Sequence, residues 1–119
     1  MEVSMPHIYT VFPANSDEIR AILKEQKTNI RKSLALCGGY EMSDIAVIPR
    51  PISDDDIELA DNILPLEFVI DTGSRTVNEA LALKKALKRA FIEHCGLKHI
   101  NFGIWVRPFA HSAFVEHKP

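Results

Sequence analysis

An acidic run, five histidines and two cysteines are the residues of this chain whose types could hold a metal ion or a nucleophile. Asp54, Asp55, Asp56, Glu58 and Asp61 fall within residues 53–62, five of the 16 acids in the chain. No partner at a recognised ligand spacing accompanies them, so they read as a solvated connection. The histidines show neither His-x-x-x-His nor His-Glu-x-x-His spacing, and no metal is expected. Cys37 and Cys95 form no Cys-x-x-Cys pair. A disulfide between them is possible but not required, and both read as packing residues near helix ends. Three arginines stand at element boundaries: Arg50 between two prolines, Arg107 before Pro108, and Arg75 at a helix start. Arg50 and Arg107 have the ordinary reading of surface salt-bridge residues. Arg75 would oppose the helix dipole there, a small misfit that invites a role.

Composition bounds what these residues can serve. At 119 residues the chain is one domain, spanning 1–119. It can bury roughly two-thirds of its unfolded surface, enough for a core without staples. It has no room for a separate cofactor domain. The net charge of −2 argues against non-specific nucleic-acid binding, and no polybasic membrane surface is present. No apolar run is long enough to span a bilayer. Residues 1–5 show no signal-peptide pattern, so a soluble cytoplasmic protein with reduced thiols is expected.

The elements follow from periodicity and stop signals. Residues 7–12 (HIYTVF) read as a strand ended by Pro13. Asn15 or Ser16 caps a helix whose apolar face is Ile19, Ile22, Leu23, Ile30 and Leu34, stopped by Gly38-Gly39. Residues 45–48 (IAVI) form a second strand, ending at Pro49-Arg50-Pro51. Residues 66–70 (LEFVI) form a third. Ser74 or Thr76 caps a helix over 77–94, with Val77, Ala80, Leu81, Leu87, Ala90 and Phe91 inward. Residues 100–107 alternate, with Ile100, Phe102, Ile104 and Val106 on one face and Asn101, Gly103, Trp105 and Arg107 on the other. Residues 111–115 read as a short extra strand.

The order is strand–helix–strand twice over, with pseudo-repeats at about 6–50 and 64–107. At an offset of 58, Ile19 falls on Val77, Leu23 on Leu81, and Cys37-Gly38 on Cys95-Gly96. Two copies are too few for a solenoid. The expected fold is α+β: duplicated β-α-β units forming one four-stranded mixed sheet with both helices on one face. Its other face, bearing Trp105, then asks for a partner, and a closed ring of copies is the economical one.

The chain resembles the tautomerase superfamily over most of its length. Met5-Pro6-His7 leading into a strand is similar to the start of 5-carboxymethyl-2-hydroxymuconate isomerase. Asp44-Ile45-Ala46-Val47 and His99-Ile100-Asn101-Phe102 resemble strands of macrophage migration inhibitory factor. Thr72-Gly73-Ser74-Arg75 is similar to the arginine-bearing turn of the isomerase and related decarboxylases. His99 stands where the cytokine has a tyrosine, and Gly39-Tyr40 occupies the region of its site lysine.

The resemblance implies a homotrimer without cofactor or metal, acting on a small unsaturated or 2-oxo carboxylic acid. Pro6 would be the catalytic group. A free amino-terminal proline is a secondary amine; model α-amino groups titrate at ~8, and burial and nearby cations lower that. The neutral amine can take a proton α to a carbonyl and return it elsewhere, while hydrogen-bond donors hold the enolate. Arg75 would grip the carboxylate with its planar fork, with Arg50 and Arg107 as second candidates. Asn101 and His99 would come from a neighbouring subunit. The mechanism requires translation to begin at Met5 and methionine removal to free Pro6. With Met1 as the start, Pro6 is an amide, and the chain reads as a non-catalytic trimeric binding protein.

Overall fold

The computed structural model describes residues 6–53, 64–73 and 75–107. Strand β1 (His7–Pro13) leads into helix α1 (Asp17–Gly38), a 3-10 turn (Met42–Asp44) and strand β2 (Ala46–Ile52). Strand β3 (Leu66–Asp71), helix α2 (Val77–His94) and strand β4 (Phe102–Arg107) repeat the pattern. The sheet order is β2-β1-β3-β4. β1 pairs parallel with β2, β3 parallel with β4, and the two units join through antiparallel β1 and β3. This is the expected duplicated β-α-β arrangement. The extra strand expected at 111–115 and the acidic run at 54–61 lie outside the described residues.

Alternation sorts the sheet into two faces. Ile8, Phe12, Leu66, Phe68 and Ile70 are buried with Ile19, Ile30 and Leu34 of α1 and Leu83, Leu87 and Phe91 of α2 in one cluster. Both helices therefore cover the same face. At its centre the Phe68 and Phe91 rings lie 4.5 Å apart, and Phe102 meets Phe68 edge-on at 5.8 Å. On the open face Trp105 is 61 % exposed, and its indole Nε1–H donates to Glu67 Oε1 at 3.2 Å. No described helix is long and apolar enough to cross a membrane.

Local signals explain the helix ends. Ser16 caps α1 through its side chain, accepting from Ile19 N, and Gly39 closes it at φ 73°. Thr76, the second of the two expected candidates, caps α2 in a reciprocal box with Glu79.

Three boundaries or faces differ from the sequence reading. β2 does not stop at Pro49 but continues to Ile52. Ala46 N donates to Pro6 O, and Ile52 O accepts from Ala14 N, so even-numbered residues of β2 bond to β1. Pro49 and Pro51 then fall where the missing N–H would face the free sheet edge, so an edge strand can keep both. β4 begins at Phe102 rather than residue 100, because a Leu97–Ile100 turn bond occupies the preceding residues. Val77 and Leu81 are exposed, and Leu83 takes the buried place beside Ala80. Ala80, Leu87 and Phe91 face inward as expected. Ser33 is also buried in α1, hydrogen-bonding Asn29 O at 2.9 Å and approaching Cys95 Sγ at 3.4 Å.

Two expectations follow. Leu87→Ala should lower unfolding free energy by ~2–5 kcal/mol, whereas Leu36→Ala, at a position 75 % exposed, should change it by less than ~0.5 kcal/mol; urea unfolding reads both. The Glu79 carboxyl is held below its ordinary value of 4.5 by hydrogen bonds to the Thr76 backbone and side chain. Its folded form is depressed, so its contribution is present above pH 4.5 and lost as pH falls through the lowered value. Glu79→Gln should remove that part of the acid dependence in pH-resolved unfolding.

Candidate active site

One end of the sheet gathers the starts of β1 and β2 and the ends of β3 and β4. The register pairs His7 with Asp71, His7 with Ala46, and Asp71 with Arg107. Pro6, one residue before β1, therefore stands opposite Thr72. It is fully buried, and its carbonyl accepts from Ala46 N at 3.2 Å. By alternation Pro6 shares the helix-covered face with Ile8.

Tyr40 closes this end. It follows the Gly39 cap of α1 and belongs to the connection that leads into β2. Its hydroxyl donates to Thr72 O at 2.9 Å, just past β3. Since β1 lies between β2 and β3, the phenol reaches across the mouth of β1, where Pro6 is buried. Arg75 joins from the turn before α2. Its Nε and Nη2 donate to Tyr40 Oη at 3.2 and 2.9 Å, and Nη2 also donates to Gly38 O at 2.8 Å. The guanidinium carbon lies 5.2 Å from the Tyr40 ring centroid. Gly38 O is a terminal helix carbonyl without an intrahelical donor, so the cation meets the negative end of the α1 dipole. The expected unfavourable setting at the start of α2 is offset by the end of α1.

These bonds use Nε–H and both Nη2 hydrogens, leaving the Nη1 hydrogens without a partner among the described residues. The Nε–Nη2 edge of the planar fork expected to grip a carboxylate is thus already bonded within the protein. An anion can meet Arg75 through Nη1.

The other arginines lie elsewhere. Arg50 and Arg107 belong to the open face, their guanidinium carbons 4.7 and 5.9 Å from the Tyr9 ring centroid. Arg107 grips Asp71 with two bonds, Nε to Oδ1 at 2.7 Å and Nη2 to Oδ2 at 3.0 Å. The sheet therefore separates both of them from the side where Pro6 is buried. Asn101 and His99 are exposed just before β4, at its start. Pro6 lies at the level of its end, a strand length of ~20 Å away. Within one protomer only Arg75 is brought to the Pro6 side.

Burial pushes the Cys37 and Cys95 thiols up, the latter partly offset by its Ser33 contact. Neither is favoured as a thiolate. The residues that sequence reasoning did not assign to the site are Tyr40, Thr72 and Gly38. A tyrosine directly after a Gly-Gly helix stop was the available signal, because only a bulky polar side chain there can span the junction.

No family model and no curated protein sequence matches the chain. Solved structures do match its fold. Native fused 4-OT superposes with a TM-score of 0.61 at 17% identity, over 92% of this chain and 91% of that one. Pt0534 inactivated by 2-oxo-3-pentynoate gives 0.57 at 17% identity, over 92% and 88%. A macrophage migration inhibitory factor-like protein from Entamoeba histolytica gives 0.56 at 17% identity, over 95% and 96%. The chain thus shares its fold with fused 4-OT and with the macrophage migration inhibitory factor-like protein.

A Cβ on Gly38 would meet Tyr40 Cε2 at 2.5 Å and Cδ2 at 2.7 Å, against a ring pinned by its hydrogen bonds. Gly38→Ala should therefore cost ~1–3 kcal/mol and shift the Arg75 Nε–H resonance. Gly39→Ala, at positive φ but with open space around it, should cost ~1–2 kcal/mol and leave that resonance in place.

Proposed function

We propose that the protein is a cofactor-independent tautomerase or isomerase of the 5-carboxymethyl-2-hydroxymuconate isomerase type, with Pro6 as the catalytic base. The observation that carries this reading is the full burial of Pro6 at the end of the sheet where Tyr40 and Arg75 bond. In a chain beginning at Pro6 the nitrogen is a secondary amine. Its apolar burial disfavours the protonated form. The amine takes a proton from the carbon α to the carbonyl, and the electron pair moves into an enolate. The resulting ammonium returns the proton to the oxygen or to a remote carbon, which restores the amine. Arg75 Nη1 anchors the substrate carboxylate.

The substrate class is a small unsaturated or 2-oxo carboxylic acid. The inactivation of a fold neighbour, Pt0534, by 2-oxo-3-pentynoate supports that class. The assembly is a homotrimer, supported by the trimeric fused 4-OT among the neighbours. In that assembly Asn101 and His99 of an adjacent copy serve as donors to the enolate oxygen. Arg50 and Arg107 reach a substrate only across such an interface. The reading places the protein in the cytoplasm, with no nucleic-acid or membrane partner.

A second reading rests on the five residues that precede Pro6. While they are attached, its nitrogen is an amide without basicity, and the trimer acts as a non-catalytic binding protein. The mass of the native amino-terminus separates the two: a start at Pro6 supports the enzyme, a retained Met1 the binding protein.

Ketonisation of phenylenolpyruvate or 2-hydroxymuconate tests the chemistry. A form beginning at Pro6 should exceed its Pro6→Ala counterpart by about 10²–10⁴-fold, and equal rates would defeat the role of Pro6. Sedimentation at micromolar concentration should give three times the 13.4 kDa chain mass; a monomer would overturn the trimer.

A further inference from the structure

We infer that Tyr40 is a positioning residue that fixes the orientation of Arg75 and so sets the affinity for a carboxylate. This rests on the reading of Arg75 as the carboxylate anchor. Three observations lead to it. Tyr40 Oη donates to a main-chain carbonyl, Thr72 O, which fixes where its lone pairs point. Those lone pairs accept from two nitrogens on one edge of Arg75, Nε and Nη2. The second Nη2 hydrogen is held by Gly38 O at the end of α1. The guanidinium is thereby planted on its Nε–Nη2 edge, against two fixed acceptors from the other repeat unit.

An arginine side chain otherwise loses rotamer freedom on being fixed, a loss that weakens its binding of any ligand it must meet. Here the protein has already fixed it in the unliganded state. Among the described residues the one nitrogen left over is Nη1, and it is available to a carboxylate with the guanidinium plane already set. Tyr40 does not touch the reacting atoms on this account. Its hydroxyl has one hydrogen and two acceptor positions, and all are in use. It acts through Arg75.

The geometry also limits the ligand. Arg75 is the only one of the three candidate arginines on the Pro6 side within a protomer. Its free nitrogen makes a single-point contact rather than a two-pronged one. Within a protomer, Arg75 thus holds one carboxylate of the substrate at a single point.

The test uses the form beginning at Pro6, with phenylpyruvate as probe, and reads binding by calorimetry beside enolisation. Tyr40→Phe keeps the ring and removes only the hydroxyl. It should weaken phenylpyruvate binding and raise KM by about tenfold, with kcat changed by less than about twofold. Arg75→Ala should weaken binding at least as much. The double variant should bind no worse than Arg75→Ala alone, because Tyr40 has nothing left to orient. A purely structural hydroxyl would instead weaken binding further in the Arg75→Ala background, and that result overturns the proposal. So does an unchanged affinity in Tyr40→Phe, or a parent protein that binds no phenylpyruvate. A parent that binds phenylpyruvate without turning it over, and loses that binding in Tyr40→Phe, defeats the proline chemistry and supports the positioning role.

Discussion

The antiparallel pairing of β1 with β3 is the constraint on which the rest of the molecule depends. Each β-α-β unit is internally parallel and could close around its own helix. Only the join between units runs antiparallel, and it brings the beginning of the first unit to the end of the third strand. Pro6 meets Thr72 for that reason. The C-terminal end of α1 and the turn before α2 arrive at the same place, since each helix connection begins or finishes at this end of the sheet. A fully parallel sheet would have put Pro6 beside other strand starts, away from the Arg75 turn.

The period-two alternation of the strands then divides the charges. Arg50 and Arg107 emerge on the open face and settle against Tyr9, with Arg107 paired to Asp71. Arg75 is not on a strand and is free of that rule. It reaches the helix-covered side, where partial burial strengthens its bonds to Gly38 O and Tyr40. One sequence feature, an arginine at a boundary, thus has two outcomes, decided by whether the boundary is a strand or a turn.

Much of the fold was legible because its signals are local and redundant. The 77–94 helix carries its cap, its period and its stop in the sequence, and it forms over those residues. Its buried stripe was less legible, since Val77 and Leu81 are apolar and lie beside the residues that turn inward. What distinguishes Leu83 from Leu81 is the rotation of α2 against β4, a tertiary fact. The prolines of β2 misled for a related reason. Proline excludes a central strand but not an edge, and strand order is set by pairing across the whole chain. In the candidate site, Arg75 showed locally only as a misfit at a helix start and Pro6 only through resemblance, and their spacing of 69 residues carries no local signal. Tyr40 looked like a departure from a family position. Its role came from partners at Thr72 and Arg75, more than thirty residues away.

The duplication itself supplies a last step. In a repeat of two units, equivalent positions begin with equivalent surroundings, yet the helix ends here differ. α1 ends in Gly38, Gly39 and Tyr40, whose left-handed glycine turns the chain so that the tyrosine crosses β1. α2 ends at Cys95 and Gly96, and the chain passes directly through Leu97 into the β4 approach. Cys95 is wholly buried against Ser33, whereas Gly38 keeps its carbonyl for Arg75. One copy of the helix terminus has become core, and the other has become the floor of a charged junction. A bulky side chain at Gly38 would close the second use while leaving the first untouched. The absence of a side chain at that position therefore serves the Arg75–Tyr40 junction rather than the core.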